Sequence, residues 1–279
     1  MAGAGLTDRI RGLGNLVVER TVEGASALST IVSRAAGLPT DVDTIRSGEP
    51  TVEPELVAFA GATAINEIGA LTGLEKVRKS AKVTLMPLLA GNVVRHRSAV
   101  GEPGSGVLLA GLAGGWLGDI VLMRAKPNLN HGAIPFSANQ IAYHVLLWRA
   151  GARPQLATAL PRAIAWAGAC AAVLKIKPAF APAAFGYGAL LTATSILASD
   201  RNLVRGLPVG DARYGLSHGG NLFLLSDVLL SLRETLPTGG AASREGFVGR
   251  VLDAAVMETY CDAQLLLVSG LMETEARSK

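Results

Sequence analysis

Gly106-Val-Leu-Leu-Ala-Gly-Leu-Ala-Gly-Gly-Trp-Leu-Gly-Asp119-Ile-Val-Leu-Met123 is the stretch that decides the fold. It is long enough and apolar enough to form a helix across a bilayer, yet Asp119 sits inside it. The same arrangement recurs in Asn221-Leu-Phe-Leu-Leu-Ser-Asp227-Val-Leu-Leu-Ser-Leu232. Each aspartate is the only charge in its run. A carboxylate stripped of water costs several kcal/mol unless it is paired, protonated or lining a wet cavity. Two such groups in similar settings point to use rather than accident.

The rest of the chain fits that reading. Of 279 residues, 49% are hydrophobic and only 17% charged, against about 25% charged in an average soluble protein. Mean hydropathy is +0.36. Eight apolar segments follow one another, at 55–73, 83–95, 106–124, 132–149, 158–174, 178–199, 216–234 and 251–270. A helix needs about 20 residues to cross about 30 Å of hydrocarbon, and most segments qualify. The second is short unless it starts near Ser80, and the first carries Asn66 and Glu67. The expected fold is all-α: a multi-pass integral membrane protein of about eight transmembrane helices, occupying residues 51–273. Gly111, Gly114, Gly115 and Gly118 would let helix backbones approach closely.

Residues 1–50 read as a separate N-terminal extension, amphipathic and partly disordered. Leu6, Ile10, Leu13, Val17, Leu28 and Val32 follow helical steps, and Pro39 to Pro54 reads as a linker. The start lacks the apolar run and cleavage site of a signal peptide, so the first true span is expected to act as the insertion signal. Lysines and arginines are nearly balanced between the two sides and lean only slightly to a cytoplasmic N-terminus.

Net charge is +4, but the basic residues are scattered between apolar runs. Without a basic cluster interleaved with aromatics, no nucleic-acid partner is expected. Cys170 and Cys261 are isolated and read as small buried hydrophobes. His96, His144 and His218 share no ligand spacing, so no zinc site is expected.

A faint repeat is visible. Lys82, Asp119 and Tyr143 fall on segments two, three and four, and Lys177, Asp227 and Tyr260 on six, seven and eight. This offset places both aspartates on equivalent, parallel helices, and repeated halves in membrane folds often hold a site at their interface.

Several motifs resemble the YhhN-like lysoplasmalogenase family: Gly118-Asp119-Ile-Val-Leu122, His131-Gly132-Ala-Ile-Pro-Phe136, Gln140-Ile-Ala-Tyr143, Leu222-Phe-Leu-Leu-Ser226-Asp227-Val-Leu-Leu230 and Thr259-Tyr260-Cys-Asp-Ala-Gln264. The Lys82 helix and Phe185-Gly186-Tyr187 fit more loosely. The resemblance covers residues 55–270. It implies an integral membrane hydrolase that cleaves the vinyl ether bond of a lysophospholipid, releasing a fatty aldehyde and a glycerophospho-head group. Asp119 and Asp227 match the family's intramembrane aspartates, and no cofactor is implied. Two positions depart from the pattern: Gln140 stands where the family usually has His, and Val83 where a proline commonly follows the lysine.

The chemistry is consistent with the residues themselves. Vinyl ether hydrolysis needs an acid to protonate the β-carbon and an anion to stabilise the oxocarbenium ion or deprotonate water. Two carboxyls in different surroundings can divide these tasks. Asp227, flanked by apolar residues on both sides, is the expected acid, and Asp119 the ionised partner. Lys82, Asn130, Gln140, Tyr143, Tyr187, Tyr260 and Gln264 are the expected substrate-binding residues, with lysophospholipid and membrane lipids as partners. The competing readings are a proton-coupled transporter using the same aspartates, a scaffold whose N-terminal helix binds a partner, and a metal-dependent membrane hydrolase.

Overall fold

The computed structural model describes residues 19, 21–38, 52–124, 128–208 and 210–277. Among them there is no strand, and eight long helices dominate: α1 (Pro54–Thr72), α2 (Glu75–Arg95), α3 (Glu102–Leu122), α4 (Leu129–Arg149), α5 (Leu156–Ile176), α6 (Ala181–Ala198), α7 (Gly215–Thr235) and α8 (Phe247–Arg277). All eight apolar segments fall on these helices. The segment that looked short is lengthened upstream, because α2 begins at Glu75 and runs 21 residues. By length and composition, three stretches can cross a membrane: α3, α5 and Pro178–Ala198, which joins a one-turn 3-10 helix to α6. The outer surface suits lipid: Ile134, Leu156 and Ile164 are 70%, 78% and 64% exposed.

Local signals set the helix ends. Pro54 opens α1 at a position where its missing N–H costs nothing, and Gly73 closes it in the left-handed conformation (φ 75°), donating to the Ala70 carbonyl. Asn128 caps α4, its side chain accepting from the backbone N–H groups of Asn130 and His131.

The helices form a ring in which α1, α2, α3, α4, α6, α7 and α8 each pack on the next and α8 returns to α1. Helix α8 also touches α2, α3 and α4 and is buried along much of its length. Helix α5 stands outside the ring. It packs on α6, and Cys170 is its only buried residue. The α3–α4 seam depends on small residues on both helices. A Cβ at Gly114 would lie 2.7 Å from the Pro135 carbonyl oxygen, one at Gly118 2.4 Å from the Phe136 ring, and one at Gly132 2.6 Å from Leu122.

Residues 21–35 are helical and join the core through Ala27, Ile31 and Ala35. This corrects the expected face. Val32 is 49% exposed and Leu28 only half-buried. The contact stripe lies one position earlier, through Ala27 and Ile31, and the helix approaches α7 until a Cβ at Gly24 would strike His218 at 2.4 Å. Leu6, Ile10, Leu13 and Val17 lie outside the described residues.

Where α6 leads into α7, Asp211 is buried. It accepts from the Arg213 side chain at 2.9 and 2.8 Å and backbone at 3.0 Å, and lies 3.3 Å from Arg277 of α8. Burial pushes this carboxyl up, but the Arg213 hydrogen bonds and the charges of Arg213 and Arg277 outweigh it and hold it below the usual carboxylate range. A depressed folded-state pKa means stability present above the unfolded value, about 3.9, and lost as pH falls through the folded value. Asp211→Asn is therefore expected to lower Tm at neutral pH, with the deficit against the parent shrinking below about pH 4. At the α3–α4 seam, Gly114→Ala should cost about 1–3 kcal/mol by overpacking against backbone. Gly106→Ala, which meets no atom within 4 Å, should leave Tm in detergent unchanged or higher.

Candidate active site

Asp119 lies in the last turn of α3 with its side chain 1% exposed. Such a burial requires partners, and two helices supply them. Lys82 of α2 brings its Nζ to 3.0 Å from Oδ1, a buried ion pair. Tyr260 of α8 donates its hydroxyl to Oδ2 at 2.9 Å. Lys82 also sits 5.7 Å from the Tyr260 ring centroid, so the cation, the ring and the carboxylate form one packed group.

Asp227 lies midway along α7 and keeps part of its surface open to a cavity. Its polar partner is Tyr187 of α6, which also feels the charge of Asp119. Each aspartate thus meets a tyrosine, and Asp119 a lysine besides. Phe136 of α4 joins the two halves, with its ring centroid 6.1 Å from both Tyr187 and Tyr260. Phe223 closes the wall edge-on to Tyr260 at 5.5 Å. Edge-to-face contacts of this kind hold ring positions firmly.

Both aspartates, with Lys82, Tyr187 and Tyr260, line one cavity of about 490 Å³. Its other walls are mostly apolar, with Ala169, Val173 and Ile176 from α5 and Leu224, Val228 and Leu232 from α7. A volume in the usual range for small-ligand sites, with apolar walls and a few converging polar groups, is what a binding site requires. The arrangement suits a largely apolar molecule presenting a reactive polar bond to the carboxyls.

Four expected residues lie elsewhere. Tyr143, Gln140 and Gln264 join Asn139 and Thr194 in a buried layer between α4, α6 and α8. There Tyr143 donates to the Gln264 side-chain oxygen, Thr194 donates to Gln140 at 2.6 Å, and Asn139 donates to the Gly111 carbonyl at 3.0 Å. Buried amides need full hydrogen bonding, and these satisfy one another rather than facing the cavity. Asn130 fastens the start of α4 to the start of α6, donating to the Ala179 carbonyl at 2.8 Å and accepting from the Ala183 N–H at 3.1 Å. Val83 leaves α2 unbroken, and its carbonyl accepts from Trp116 at 2.9 Å.

One charged cavity residue escaped the sequence reading. Arg162 of α5 donates to Ser195 and Ser199 at 2.9 Å, to Asn221 at 2.8 Å and to the Thr158 carbonyl at 2.9 Å. It is the only charge in its apolar segment, the same signal that exposed the aspartates. Lys177 turns into the cavity rim and donates to the Glu234 carbonyl at the end of α7. Among the described residues, no group of three or more His, Cys, Asp or Glu side chains is placed to hold a metal ion.

A sequence model of the YhhN family matches residues 77–271, from α2 into α8. No curated protein and no solved structure matches the chain.

Lys82→Met should leave Asp119 buried without its cation and cost about 3–5 kcal/mol. The double variant with Asp119→Asn should recover most of that loss. Thermal unfolding of the parent, both single variants and the double variant in detergent measures the coupling, and simple additivity would remove the ion pair from the argument.

Proposed function

The chain belongs to the YhhN family, and we propose that it is a multi-pass integral membrane hydrolase cleaving the vinyl ether bond of a lysophospholipid. The observation that carries this reading is the sharing of one apolar cavity by two aspartates with different partners. In this reading the eight long helices are the spans. Of those below the hydropathy of α3, α5 and α6, α2 and α7 carry charges of the site, and α4 and α8 carry the polar layer beside it.

The chemistry divides as the partners suggest. Asp119, beside the Lys82 ammonium and the Tyr260 hydroxyl, takes the ionised role. Asp227, with a phenol as partner and apolar neighbours, takes the protonated role. Asp227 gives its proton to the β-carbon of the vinyl ether, and the π electrons form the new C–H bond. The resulting oxocarbenium ion is stabilised by the Asp119 carboxylate, a fixed charge in a dry site. Water adds to the α-carbon and loses a proton to a carboxylate. The hemiacetal then collapses: its hydroxyl loses a proton to a carboxylate as the C=O bond forms, and the C–O bond to glycerol breaks as the alcohol oxygen takes a proton. The products are a fatty aldehyde and a glycerophospho-head group. The apolar walls favour a lipid chain over a hydrated solute.

Gln140, where the family usually carries His, belongs to the buried amide layer, not the cavity wall. That departure bears on packing beside the site more than on the groups facing the substrate.

Purified protein should release aldehyde from a vinyl-ether lysophospholipid. Asp119→Asn and Asp227→Asn should each lower kcat by about 10²-fold or more, the usual worth of a positioned acid or base. Near-parental rates in either variant sink the paired-carboxyl mechanism. Proton-dependent uptake in proteoliposomes without aldehyde would replace hydrolysis with transport.

A further inference from the structure

The cavity has two charged ends and a reactive middle. Arg162 on α5 and Lys177 just past its end are fifteen residues apart, about 22 Å at helical rise, and both reach the cavity. Asp227 lies between these levels on the opposite wall. We propose that Lys177 is the residue that binds the phosphate of the substrate, fixing the lipid with its head at the α5–α6 corner and its chain running down between α5 and α7. This rests on the lipid-hydrolase reading above and adds the orientation of the substrate and the residue that holds its phosphate.

Three observations support the assignment. First, of the two lysines at the cavity, Lys82 has its charge matched by Asp119. Lys177 spends one donor on the uncharged Glu234 carbonyl and lies 5.1 Å from the Phe180 ring centroid. An ammonium has three donors, so phosphate can be accepted without breaking that contact. Second, Lys177 points across the rim to the end of α7 rather than outward, as a lysine that merely reached for the headgroup layer would. Third, the spacing fits. From Asp227 to Glu234 is seven residues, about 10 Å of helix rise. The five bonds from phosphorus to the vinyl ether oxygen span about 6 Å extended, and a hydrogen bond to the ammonium adds about 3 Å. The chain beyond the ether then meets the apolar faces of α5 and α7, which make no extensive contact with each other.

The test compares two non-hydrolysable ligands on purified full-length protein: a 1-O-alkyl lysophospholipid and the matching 1-O-alkylglycerol, which lacks the phosphate. The affinity ratio between them should fall about tenfold in Lys177→Gln, as expected for one charge-assisted hydrogen bond, and return in Lys177→Arg. An equal loss for both ligands in Lys177→Gln would make Lys177 a strap between helices and overturn the proposal. So would a ratio that survives Lys177→Gln but collapses in Arg162→Gln, which would put the head at the opposite end. Because the readout is binding, a protein that shows the expected ratio but releases no aldehyde defeats the hydrolase reading alone.

Discussion

One buried ion pair organises this molecule. Asp119 can be buried in an apolar bundle only because Lys82 and Tyr260 reach it, and those three residues come from α3, α2 and α8. Satisfying one carboxylate therefore fixes the register of three helices. Helix α8, the most deeply buried, then carries the packing to α1, α4 and α7. The aromatic contacts through Phe136 extend the same group to Tyr187 and so to Asp227. The site and the fold's keystone share their residues, so the chemistry is tied to the most constrained part of the structure.

The two halves of the chain correspond, and then depart from one another. Successive helices pack in order within each half, α2 meets α8 as α6 meets α4, and both aspartates ride on matching helices. The side chains do not follow the repeat. Tyr260 crosses to the aspartate of the other half, whereas Tyr143 turns to Gln264. Lys82 pairs with its aspartate, whereas Lys177 binds a helix end. The packing breaks too: α1 lies against α8, but α5 has no comparable contact with α4. That break falls at the helix that walls the cavity. Unequal surroundings for two equivalent carboxyls follow from it, and unequal surroundings are what acid–base chemistry needs.

Much of this was legible in the residues. Hydropathy located all eight helices, because apolar runs of this length have few other folds open to them. The aspartates stood out because an unpaired charge there is costly, Lys82 and Tyr260 followed from the repeat, and Tyr187 from the family resemblance. What the chain could not disclose was direction. Tyr143, Gln140 and Gln264 differ from the cavity residues only in the side of the bundle they face, which tertiary packing decides. On residues 21–35 the core contact runs through Ala27, Ile31 and Ala35, with Leu28 at its edge and Val32 outside it, a choice of side that packing again decides. Arg162 was legible by the rule that exposed Asp119 and Asp227, and was passed over as one of many loop-like charges.

Helix α5 separates two demands that most proteins must meet with the same residues. It contributes one buried side chain to the fold and many to the cavity wall. Substitutions on its inner face therefore reshape the cavity while leaving the ring of seven helices intact. The outer face need only remain apolar. Within this architecture α5 is where the shape of the cavity can drift between descendants at little cost to folding, and where a designer seeking to reshape it would begin.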